Sequence, residues 1–203
     1  FFNNNQLTTL PAGIFDSLTS LQYLSLSNNQ LTTLPAGIFD SLTSLQYLFM
    51  TENANLQCVP PTATGITPIV DGGVGDECGC DFGDSSDPCS EEATCTPGAE
   101  GYTCVNNCLV GGSNDKCQYA GIDLLGLSNC GITDDDWTDL ENCIDTFGRG
   151  NIGSLTLNDN QLTTLPAGIF DSLTSMGFLF FNNNQLTTLP AGIFDSLTSL
   201  QYL

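Results

Sequence analysis

Ten cysteines, 23 carboxylates and no histidine define the chemistry open to this chain of 203 residues. Without histidine the commonest general base is missing, and the one lysine has no nucleophile motif beside it, so carboxylates alone are left as acid–base groups. Paired carboxylates can hydrolyse glycosides when they face each other across the scissile bond. Here 17 of the 23 acids fall between Asp71 and Asp145, in loops and at a helix start, so no enzymatic activity is expected. The cysteines are even in number and include no C-x-x-C pair. They read as disulfides and place the chain in an extracellular or cell-surface setting.

Only Lys116 and Arg149 oppose those acids, for a net charge of −21. Nucleic acid and anionic lipid are therefore not expected as partners. Such a charge favours solubility and attracts divalent cations, and it equally suits a solvated acidic face. No stretch of about 18 apolar residues is present, so no membrane insertion is expected in this segment. An apolar content of 40% is enough to build a core. No N-x-S/T sequon occurs, whereas Thr62, Thr64 and Thr67, in P-P-T-A-T-G-I-T-P, are candidates for O-linked sugar or form a plain extended spacer.

The elements that must carry these residues come from a repeat. Phe1 to Leu24 and Ser25 to Leu48 differ only in their first three residues, which gives a period of 24. Leu24 and Leu26 alternate as in a short strand, and one such strand per coil stacks into a parallel sheet. Leu31, Leu34, Ile38, Phe39 and Leu42 fill the other walls of the coil. A longer, irregular coil begins at Ile122 and lasts 30 residues before Ile152 restarts the pattern. Its extra length predicts a helix: Thr133 caps it, Asp134, Asp135 and Asp136 favour the positive end of its dipole, and Trp137, Leu140, Ile144 and Phe147 follow at helical spacing.

The unit L-Q-Y-L-S-L-S-N-N-Q-L-T-T-L-P-A-G-I-F-D-S-L-T-S resembles the 24-residue extracellular leucine-rich repeat. Its phrase L-P-A-G-I-F-D-S-L is similar to the repeats of variable lymphocyte receptors. The resemblance implies an α/β solenoid, mostly strand and loop with one convex helix, whose parallel sheet lines the concave side. It also implies that Asn5, Asn29, Asn53, Asn160 and Asn184 point inward and satisfy turn backbone between coils. From Cys78 to Cys117 the spacing, with Tyr102 before Cys104, resembles a small disulfide-rich EGF-like module. Family pairing then implies Cys80–Cys95, Cys89–Cys104 and Cys108–Cys117, leaving Cys58–Cys78 and Cys130–Cys143. Asp76-Glu77-Cys78 is similar to the opening of calcium-binding EGF modules, which makes Asp76 and Glu77 candidate calcium ligands; no other cofactor is expected.

The expected organisation is therefore the end of one repeat array with its cap (1–58), a Thr/Pro/Gly/Asp linker (59–77), the EGF-like module (78–117) and the start of a second array (118–203). Phe180 to Leu203 repeats Phe1 to Leu24 at all 24 positions, a shift of 179 residues. The expectation is a window on a tandem array, with raw repeat edges at both ends. Uniform coils suit a scaffold that packs against copies of itself as a fibre, sheath or adhesive layer. Alternatively, Phe1, Tyr23, Tyr47, Phe49, Phe178, Phe180 and Tyr202 on the concave sheet bind an external protein or glycan, as in a receptor-like ectodomain.

Overall fold

A computed structural model describes residues 1–56, 59–60, 62–66, 68–70 and 124–203. Its strands are three residues each: β1 (Tyr23–Ser25), β2 (Tyr47–Phe49), β3 (Leu124–Gly126), β4 (Ser154–Thr156) and β5 (Phe178–Phe180). Among the described residues one α-helix, α1 (Trp137–Phe147), follows a 3-10 turn at Asp134–Asp136, and a second 3-10 turn covers Arg149–Asn151. β3, β4 and β5 pair in parallel, as do β1 and β2. Tyr202 bridges β5 on one side and β1 on the other, and Ile69 bridges Phe49 beyond β2. The order in space is therefore β3, β4, β5, Tyr202, β1, β2, Ile69, so the C-terminal part of the chain precedes the N-terminal part in one continuous solenoid.

The stretches expected to belong to two arrays stack on one another through their identical coils. Leu179 N donates to Tyr202 O, Phe1 N to Leu179 O and Phe181 N to Phe1 O, while Ser25 N donates to Leu203 O and Phe2 N to Ser25 O. Residues 201–203 and Phe1–Phe2 thus occupy one strand position end to end. The physical reason is that both edges carry the same coil, so each finds in the other the neighbour that its unpaired backbone requires. A second departure concerns the expected linker 59–77. Val59, Pro60 and Pro68 are buried, and Ile69 exchanges backbone hydrogen bonds with Leu48 and Met50. The described residues among 59–70 therefore cover the open edge of β2.

The repeat positions fall as their periodicity requires. Leu24, Leu26, Leu31, Ile38, Phe39 and Leu42 are buried and Leu34 is half-buried. Phe170, Phe194, Phe15 and Phe39 stack in a spine with 6.3 Å between successive ring centroids. The Gly of L-P-A-G-I-F-D turns through positive φ; at Gly37 (φ 70°) an added Cβ would be strained and would lie 2.8 Å from Asp40 Oδ2, so glycine is favoured there.

Between coils, the inward amides do what the resemblance implied. Asn29 Oδ1 accepts from Leu7 N at 3.0 Å, and its Nδ2 donates to Phe2 O and Leu26 O at 2.9 Å each. Asn53, Asn160, Asn184 and Asn5 repeat the pattern, and Asn5 does so across the junction, with Leu186 N and Phe181 O.

The irregular coil is fastened by its polar groups. Thr133 and Asp136 form a reciprocal cap, with Thr133 N donating to Asp136 Oδ2 at 2.8 Å. Trp137, Leu140 and Ile144 are buried. Asp134 lies in the acidic first turn as expected and also reaches the next coil, where its carboxylate accepts from the backbone and hydroxyl groups of Thr163 and Thr164. Partial burial opposes its ionisation, but these hydrogen bonds outweigh that and hold its carboxyl below the ordinary range. Arg149 pairs with Asp145 at 2.7 Å and donates to the carbonyls of Ile169 and Asp171, tying the end of α1 to the same neighbour.

Replacing Asn29 with Ala strands the Leu7 amide, while the Phe2 and Leu26 carbonyls each lose one bond but keep those from Asn5 Nδ2 and Asn53 Nδ2; at about 1–3 kcal/mol for the stranded amide and about 0.5–1.5 kcal/mol for each lost bond, a loss of about 2–6 kcal/mol is expected. Chemical denaturation measures it, with exposed Gln30→Ala as the control inside about 0.5 kcal/mol. A pH effect follows from the irregular coil. Asp134 has the depressed-carboxyl sign: its contribution is present above the ordinary value of about 4 and is lost as pH falls through its folded value. Asp134→Asn should flatten only this acid limb of the melting curve.

Candidate interaction face

Side chains alternate between the two faces of the sheet, so the residues flanking each buried central Leu lie on its outer face in two rows. The first row contains Ser154, Phe178, Tyr202, Tyr23 and Tyr47; the second contains Thr156, Phe180, Phe1, Ser25 and Phe49, with Thr156 and Ser25 buried between their neighbours. Within the first row the rings of Phe178, Tyr202, Tyr23 and Tyr47 form a ladder. Successive centroids lie 4.8, 4.5 and 4.6 Å apart and the ring planes are within 15° of parallel. The spacing is that of the strands themselves, about 4.7–4.9 Å, so pairing of the strands is what stacks the rings. In the second row Phe1 and Phe180 lie 5.4 Å apart, and Phe49 packs 6.3 Å from Tyr47.

Rings on the sheet side are thus closer together than the 6.3 Å steps of the phenylalanine spine. Coils that approach more closely on one side curve toward it, which makes the sheet the concave wall. A face-to-face stack hides the faces of its inner rings and presents their edges. Accordingly the two end members, Tyr47 and Phe178, are the exposed ones, at 43% and 40%, whereas Tyr23 and Tyr202 are half-buried. Three phenol hydroxyls then line the ladder among apolar ring edges, suited to hydrogen-bonding and packing against a protein surface.

All seven residues expected on this face lie in these rows. What sequence reasoning missed is that the ladder is composite: Tyr23, Tyr47 and Phe1 come from one end of the chain, Phe178, Tyr202 and Phe180 from the other, and contact between Tyr202 and Tyr23 depends on the junction. The only signal for it was the identity of the two end coils.

The remaining expected sites are not gathered here. Thr62 is buried, and its Oγ1 accepts from Ile66 N at 3.0 Å, so its hydroxyl is committed to the edge-covering turn and is unsuited to carrying sugar; Thr64 is exposed. Cys130 is half-buried at the turn after β3 and Cys143 is buried on α1. Asp76, Glu77, Thr67, Ile122, the EGF-like stretch 78–117 and the cysteines at 58, 78, 80, 89, 95, 104, 108 and 117 lie outside the described residues. Among the described residues the one basic side chain, Arg149, is engaged by carboxylates and carbonyls, and no described helix is long and apolar enough to cross a membrane.

No curated protein matches the chain. The model of the family described as Leucine rich repeat matches residues 2–54 and 151–203, the two stretches that the structure joins into one solenoid. With parallel strands stacked one per coil, inward asparagines between them and a family match over more than half its length, this chain belongs to the leucine-rich-repeat family.

Proposed function

We propose that the chain is an extracellular protein-interaction scaffold that holds a protein partner against the concave aromatic ladder. The observation that carries this is the stack Phe178–Tyr202–Tyr23–Tyr47, whose two end rings stand exposed on an otherwise uniform wall. Aromatic side chains supply large, rigid contact area at small entropic cost and are favoured anchors of interfaces. Stacked rings withhold the faces that a sugar would stack on, which favours a protein over a glycan. The disulfide-bonded state of Cys130 and Cys143 and the ten cysteines of the chain support an oxidising, extracellular placement.

Packing of copies into a fibre or sheath is the second reading, favoured by the identity of Phe1–Leu24 with Phe180–Leu203. Within one chain, however, those edges are already paired with each other, which leaves the concave face as the surface with unspent contact capacity.

A photoreactive benzoylphenylalanine at Tyr47 should cross-link proteins from an extracellular extract, whereas the same group at the exposed Gln30 should not. Equal labelling from both positions would sink the proposal. For a captured partner, Tyr47→Ser with Phe178→Ser should weaken binding tenfold or more, each anchor being worth about 1–2 kcal/mol. Their exposure predicts little change in melting temperature.

A further inference from the structure

The concave wall is the uncharged side of a strongly acidic molecule. Beyond its two rows a third continues the alternation, with Asn158, Asn182, Asn3, Ser27 and Thr51 two residues past Thr156, Phe180, Phe1, Ser25 and Phe49. Its groups bond along the row: Thr51 Oγ1 donates to Ser27 Oγ at 3.0 Å and Asn182 N to Asn158 Oδ1 at 3.2 Å. None of the described acids stands in any of these three rows, although the chain carries 23 acids and a net charge of −21. Asp159 and Glu52 lie just past the third row, at its rim. Asp16, Asp40, Asp171 and Asp195 each follow a phenylalanine of the spine, and the other described acids belong to the irregular coil.

We propose that the protein held on the aromatic ladder is a second copy of this chain, docked ladder to ladder about a two-fold axis. The inference rests on the reading of the ladder as a protein-binding face. Two molecules of the same sign approach closely only where neither presents charge, and among the described residues the concave wall meets that condition. A two-fold axis between Tyr202 and Tyr23 sets Phe178 of one copy against Tyr47 of the other, twice. These are the two exposed rings, each at an end of the stack where one ring face stays open, so the open rings find each other. Aromatic side chains reach farther from the sheet than Ser154 and Thr156 beside them, and the ladders therefore meet before the rims do. Seven strand positions at about 4.8 Å and five residues at about 3.3 Å give a wall of roughly 30 by 17 Å, about 500 Å². Standard stable interfaces bury about 800 Å² per partner, so this pair forms and separates rather than being permanent. Repulsion between the acidic copies acts in the same direction, and salt, by screening it, strengthens the pair. A basic partner would respond to salt in the opposite sense.

The purified full chain is sedimented over a wide range of concentration while ionic strength is raised from about 0.01 to about 1 M, which shortens the screening length from about 30 to about 3 Å. Mass should move from one chain to two as concentration rises, and association should tighten about tenfold or more with salt. Tyr47→Asp, which places a carboxylate on the wall, should weaken association about tenfold or more, whereas Gln30→Asp, at an exposed residue outside the three rows, should not. In a mixture with nitrogen-15-labelled wild type, benzoylphenylalanine at Tyr47 should join a light chain to a heavy one near Phe178. Monomer at every concentration and salt overturns the proposal, and so does a dimer that weakens with salt or survives Tyr47→Asp. If the chain stays monomeric while the group at Tyr47 labels a different extracellular protein, self-docking is overturned and the ladder remains a protein-binding face; labelling of neither overturns both.

Discussion

A coil of 24 residues cannot satisfy itself. It turns through loops whose amides and carbonyls point inward, and its leucines cover one wall while leaving the faces above and below bare. The inward asparagine resolves the polar half of this problem by bonding its own turn and the turn of the preceding coil at once, as Asn29 does with Leu26 O and with Phe2 O and Leu7 N. An unpaired buried amide or carbonyl costs about 1–3 kcal/mol, so each coil depends on a neighbour in register. The sheet, the phenylalanine spine and the aromatic ladder all inherit that register.

The same dependence accounts for the order of the fold. A solenoid end left bare exposes apolar side chains together with unpaired backbone, and the strongest available remedy is another coil of the same kind. The chain carries one at each end. Stacked on each other, these two coils make the same contacts as any other neighbouring pair, with Leu186 N on Asn5 Oδ1 and Phe15 against Phe194. Where no such coil is available, beyond β2, the residues from Val59 to Val70 supply a makeshift edge through Ile69. Where a coil is irregular, side chains take over: Asp134 to Thr163 and Thr164, and Arg149 to Ile169 and Asp171, fasten the helical coil to its neighbour. The scarcity of basic residues matters little to this architecture, because its coil contacts are hydrogen bonds and packing rather than ion pairs.

Function rests on the same stacking. The strands bring outward aromatics to within about 5 Å of one another, and a composite surface results that neither half of the chain possesses alone. Uniformity of the coils, which argues for a scaffold, and the aromatic patch at its centre, which argues for a contact surface, are consequences of one repeat with Tyr or Phe at the same strand position in four neighbouring coils.

Much of this was legible in the residues. The period of 24 places the strands, the buried leucines and the inward asparagines, because each is set by residue type and by distance along the chain. Thr133 capping a helix with Trp137, Leu140 and Ile144 on its buried side is local in the same sense, and so is the alternation that turns Tyr23 and Tyr47 outward. Asp134 lies at the helix start as its position requires, but its reach to Thr163 and Thr164 in the next coil was not legible, because both roles call for the same residue type. What only the tertiary structure decided is which coil lies beside which. Near-identical repeats offer near-identical edges, so their sequence is degenerate with respect to order: Phe1–Leu24 could follow any coil that ends like Leu203. The choice rests on long-range contacts spanning up to 181 positions in the chain, and the energy that selects among equal edges comes from closing both at once.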